Sequence, residues 1–132
     1  MLINKVKSIV SLLLIGLIAS PVFAEPQHQP DGHELVQDAY KSGTRVEIDE
    51  DQDEVYQAVQ SGLIKPFSEL YATIDQELNG RLIKVELDED DDEWIYELKL
   101  VHDNNVIKVE YNAATLEMIE IKGRNLRNVI KK

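Results

Sequence analysis

The chain has 132 residues, with 25 acidic against 14 basic side chains and a formal net charge of −11 at pH 7. That balance repels nucleic acid and anionic lipid, and it suits a soluble protein or one that meets a basic partner. Cysteine is absent, which excludes disulfide staples, a lipidated leader cysteine and thiol catalysis.

Residues 1–24 read as a secretory leader. Lys5 and Lys7 form a positive start, Ile9 to Ala19 is an apolar stretch broken only by Ser11 and Gly16, and Pro21 ends any helix. Val22-Phe23-Ala24 then places small residues for cleavage after Ala24. The apolar stretch is too short for a stable membrane anchor, which needs about 20 residues. Cleavage leaves 108 residues with 12 basic and 25 acidic side chains, a charge of −13. The expected compartment is a bacterial periplasm, with no membrane anchoring once the leader is gone, and the length allows one small domain.

Residues 25–52 read as an acidic flexible segment. Pro26, Pro30, Gly32, Gly43 and the run Asp49-Glu50-Asp51 leave little apolar surface to offset ordering. Leu35, Val36, Ala39 and Tyr40 suit a turn or two of helix, and Thr44 to Ile48 a short strand. Asp53 is a good N-cap for a helix carrying Val55, Ala58 and Val59, which Gly62 ends. Pro66 fits the first turn of a second helix, in which Phe67, Leu70, Tyr71, Ile74 and Leu78 make one apolar stripe before Asn79-Gly80.

Past Gly80 the period falls to two. Apolar residues alternate with charge over Ile83–Leu87, Trp94–Val101, Ile107–Tyr111 and Ile119–Ile121. Short polar links at 88–93, 103–105 and 112–115 suit antiparallel neighbours, with Asn104-Asn105 as a tight turn. The predicted fold is α+β: a helix-turn-helix packed on one face of a four-stranded antiparallel β-meander. The basic tail, residues 123–132, puts Leu126, Val129 and Ile130 on one helical face and is expected to fray.

The ordered set of motifs resembles the PepSY domain family over residues 53–122. Val59-Gln60-Ser61-Gly62-Leu63-Ile64-Lys65-Pro66-Phe67 resembles that family's helix-turn-helix entry, and Gly80 with Leu82–Leu87 its first strand. Trp94-Ile95-Tyr96-Glu97-Leu98 is similar to its central strand, and Asn112-Ala113-Ala114-Thr115 stands where Asp-Ala-x-Thr-Gly is usual. Leu116 replaces the usual Gly, so a positive φ there costs about 1 kcal/mol or more. The resemblance implies an extracytoplasmic, non-catalytic module that restrains peptidases or serves envelope signalling systems.

Asp88, Glu89, Asp90, Asp91, Asp92 and Glu93 form the most charged point of the chain. They lack the ligand spacing and central Gly of a calcium loop, and read as a solvated hairpin tip that steers a basic partner. His28 and His33, beside Asp31 and Glu34, offer a borderline metal two imidazoles without fixed geometry. His102 reads as an exposed edge residue, and Trp94 and Tyr96 as core. No cofactor is implied. No nucleophile elbow or phosphate-binding loop appears, so no catalytic residue is assigned. The expected function is contact with a protein, a peptidase or a sensor's extracytoplasmic domain. The alternative is binding of a metal or small ligand by the acidic loop or the histidines.

Overall fold

The computed structural model describes residues 28–132; the expected leader lies outside them. The chain runs α1 (Gly32–Val36), β1 (Arg45–Ile48), α2 (Gln52–Gln60), α3 (Phe67–Glu77), β2 (Arg81–Asp90), β3 (Glu93–His102), β4 (Asn105–Asn112), β5 (Met118–Lys122) and α4 (Leu126–Val129). The fold is α+β, with the strands in order β1-β2-β3-β4-β5 in one sheet. No helix among the described residues is long and apolar enough to cross a membrane.

The sheet has five strands and is mixed, which corrects the four-stranded antiparallel meander. β2 to β5 pair antiparallel, but β1 pairs parallel to β2, with Val46 opposite Val85. The intervening helices α2 and α3 supply the long crossover that parallel pairing requires. The hairpin turns are also tighter than expected. Asp91-Asp92 (φ 50° and 65°) and Asp103-Asn104 (φ 49° and 62°) form the two-residue links, in the left-handed region that matches strand twist. Asp88 to Asp90 therefore belong to β2 rather than to a loop. Leu116 does take a positive φ, 60°.

Alternation along the strands divides the sheet cleanly. Val85 and Leu87 on β2, Tyr96, Leu98 and Leu100 on β3, and Ile107, Val109 and Tyr111 on β4 are fully buried. They share one core with Val55 of α2 and with Phe67, Leu70 and Ile74 of α3. The Phe67 ring meets Tyr96 edge-on at 5.8 Å between centroids, a favoured aromatic geometry. α2 starts two residues earlier than read, because Asp51 rather than Asp53 accepts the capping bond, from the Asp53 N–H at 2.7 Å.

The flexible segment expected over residues 25–52 is a correction from Asp31 onward. Asp31 and Glu34 form a reciprocal capping box on α1, and Val36 is fully buried in the common core. Gly32 has no room for a Cβ, which would collide with the backbone of Gln52 and Tyr56. Asp38 caps α3 from outside: its carboxylate accepts from the Ser68 N–H at 2.8 Å and the Ser68 hydroxyl at 2.6 Å. Pro66, at the N-cap itself, makes no such bond.

The tail is a second correction, because it docks rather than frays. Val129 is fully buried, Leu78 bridges Ile130, and Asn79 and Lys131 donate to Val129 and Glu77 carbonyls at 2.7 and 2.8 Å. These bonds satisfy backbone groups at the end of α3.

Candidate functional site

Acidic residues converge at the β2–β3 hairpin end of the sheet. Asp90 and Glu93 pair across the turn, and Asp91 and Asp92 occupy its two exposed positions. On the solvent side, Glu86, Asp88 and Glu97 bring carboxylate oxygens within 4.8 Å of one another. Glu50, just beyond β1, closes this end: its Oε1 accepts from the Glu89 N–H at 3.2 Å. Its Oε2 is buried without a hydrogen-bond partner.

This crowding has an electrostatic consequence. Desolvation first, then the charges of Glu86, Glu50, Glu97 and Asp49, push the Asp88 carboxyl up to about 6 from an ordinary 3.8. Glu86 and Glu97 are partly compensated by Lys84 at 3.7 Å and Lys108 at 2.9 Å. The sequence run flagged Asp88, Glu89, Asp90, Asp91, Asp92 and Glu93. It missed Glu50, Glu86 and Glu97, which strand register alone brings in.

Beside the hairpin, an open groove of ≈ 430 Å³ runs between α2 and β2–β3, lined by Asp53, Glu54, Gln57, Leu63, Glu89 and Trp94 among others. Acids rim it and apolar carbon lines part of it. Trp94 is otherwise core, only 4 % exposed. Tyr96 is core as expected, with its hydroxyl donating to the Lys65 carbonyl at 2.5 Å. Burial raises the Tyr96 and Tyr111 hydroxyls far above their ordinary range, so both stay protonated donors.

The histidines do not converge. His28 Nε2 lies 2.8 Å from Glu34 Oε2, while His33 Nε2 lies 2.8 Å from the Glu50 carbonyl. The group of three or more ligand-type side chains found among the described residues is the Glu86–Asp88–Glu97 set, which contains neither. His102, read as an exposed edge residue, is instead largely covered. Its Nδ1 is buried without a hydrogen bond, 3.5 Å from Asp103.

Against models of known families, residues 65–122 match the PepSY domain, described as "Peptidase propeptide and YPEB domain". The matched stretch takes in α3 and β2 to β5 and leaves α1, β1, α2 and α4 outside it. No curated protein and no solved structure matches the chain.

Proposed function

We propose, from the match of residues 65–122 to the PepSY family model described through peptidase propeptides, that this chain is a secreted periplasmic regulatory module. It acts by protein contact and without catalysis. The observation that carries this reading is the acidic hairpin end set beside an open groove with acidic walls. A basic segment with an apolar side chain has complementary chemistry there, and the six acids from Asp88 to Glu93 steer its approach. The partner is a peptidase or a sensor's outer domain, restrained or assisted by occupancy of that end.

Crosslinking in envelope extract, followed by association kinetics with the captured partner, tests the proposal. Reversing all six acids to lysine should slow association about tenfold or more and flatten its salt dependence. Unchanged kinetics sink the steering role. Mass analysis of the exported form should find Glu25 as its first residue. Titration calorimetry with calcium, zinc and copper separates the rival. Saturable metal binding lost on replacing His28 and His33, or Asp88 and its neighbours, would reassign the protein to ligand capture.

A further inference from the structure

The solvent face of the sheet is sorted by charge in a way the proposed partner contact does not use. Strand pairing lines Arg45, Lys84, Lys99, Lys108 and Lys122 into one row across all five strands. The adjacent row is Glu47, Glu86, Glu97, Glu110 and Glu120. On every strand one basic and one acidic residue stand two positions apart. Their order inverts whenever the strand direction inverts, so the rows stay pure.

Like charges directly opposite on neighbouring strands repel. A sheet optimised only for itself would alternate sign across its strands. Here relief comes along the strands, as in Arg45–Glu47 at 2.6 Å and Lys122–Glu120 at 3.1 Å, or diagonally, as in Lys84–Glu47 at 3.3 Å. The result is a dipolar surface, one stripe of each sign.

We propose that this face is the contact surface for a second copy of the chain, packed sheet to sheet about a two-fold axis between the stripes. A half-turn about an axis parallel to the rows sets each basic row over the other copy's acidic row. It keeps β3 over β3 with its direction reversed. The outward residues of β3 read apolar, acidic, basic, apolar: Ile95, Glu97, Lys99 and Val101. Ile95 therefore meets Val101 of the second copy, and Glu97 meets Lys99. Stacked sheets lie about 10 Å apart, a gap that long Lys and Glu side chains fill from both sides.

A partner carrying one sign of charge gains on one stripe and loses on the other. A second copy offers both stripes at the same spacing. The net negative charge opposes association at long range, but at 0.15 M salt the Debye length is about 8 Å. Charges on the far sides are then screened from each other, while the contacts between stripes persist.

Sedimentation equilibrium of the intact protein tests this. A dimer is expected at 0.15 M salt and about 0.1 mM protein, with the dissociation constant rising about tenfold at 1 M, where screening reaches about 3 Å. The triple variant Lys84→Glu, Lys99→Glu, Lys108→Glu should be monomeric, as should Glu86→Lys, Glu97→Lys, Glu110→Lys. Mixing the two should restore a one-to-one complex. A second arm leaves both stripes intact. Since the chain has no cysteine, an Ile95→Cys chain and a Val101→Cys chain are mixed with a bismaleimide spanning about 10 Å. Mixed dimers should crosslink far more than either variant alone. A monomer at 0.15 M salt, a dimer indifferent to stripe reversal, or equal crosslinking of Val101→Cys chains with themselves overturns the proposal.

Discussion

Along β3, Trp94, Tyr96, Leu98 and Leu100 are at most 4 % exposed, whereas Ile95, Glu97, Lys99 and Val101 alternate with them and keep contact with solvent. The two faces of one strand thus answer to different physics. On the inner face, burial is non-directional and scales with area, so size and apolarity matter more than order. On the outer face, ion pairs in water contribute little to stability, and some of the charge there is a burden. What the outer residues retain is order, and order is what another molecule can read. A chain this acidic keeps its buried contacts on one side of the sheet and its charge on the other and at the hairpin end.

The comparison breaks first on the inner face. Leu98 is fully buried between β2 and β4, so Leu98→Ala should cost about 3 kcal/mol in urea denaturation. A neutral substitution at Glu110, on the outer face of the neighbouring strand β4, should move stability by under about 0.5 kcal/mol. Next comes the N-terminal segment that covers the core. Val36→Ala should cost about 2 kcal/mol, because two buried methyl groups are lost with little room to collapse. A loss under about 0.5 kcal/mol would return this segment to the status of a loose tether. Asp38→Ala should cost about 1 kcal/mol, the worth of a helix cap, since α3 has no cap of its own at Pro66. Thermal denaturation with the Ser68→Ala variant beside it checks that the bond to Ser68 is responsible.

Much of this architecture was legible because it rests on local periodicity. The stripe from Phe67 to Leu78 and the alternation from Ile83 to Ile121 each specify an element and its buried side without reference to distant residues. The strand motifs fell in the matched region for the same reason, while most of the helix-turn-helix entry, Val59 to Ile64, lies before it. What stayed hidden depends on contacts far apart in sequence. The segment before Gln52 folds because Gly32 admits the start of α2, Asp38 reaches Ser68 and Thr44 bonds the Leu82 carbonyl. Composition registers none of those partnerships. The parallel place of β1 depends likewise on where its crossover lands. At the acidic end, the run from Asp88 to Glu93 announced itself, but its coupling to Glu50, Glu86 and Glu97 needed the register of three strands. The charge stripes were present as simple lysine–glutamate alternation and became rows only when the strands were paired.

The smallest effect separates a burdened acid from a merely exposed one. Asp88 titrates near 6 in the fold, against 3.8 as its ordinary value, through desolvation and the charges of Glu86, Glu50, Glu97 and Asp49. Below pH 3.8 the carboxyl is protonated in folded and unfolded chains alike, and it contributes no pH dependence. Between 3.8 and 6 the unfolded chain releases a proton that the fold still holds, so stability falls as pH rises. Above 6 the penalty is complete. Solvent screening at this partly open site reduces it to about 1 kcal/mol. Asp88→Asn should therefore stabilise the protein by about that amount at pH 7.5, and the gain should vanish near pH 3.5 in urea titrations at both values. A variant that is neutral at both would place Asp88 with the other well-hydrated acids of the hairpin. A variant destabilised at pH 7.5 would mean that the ionised carboxylate holds an attractive contact stronger than the repulsion around it.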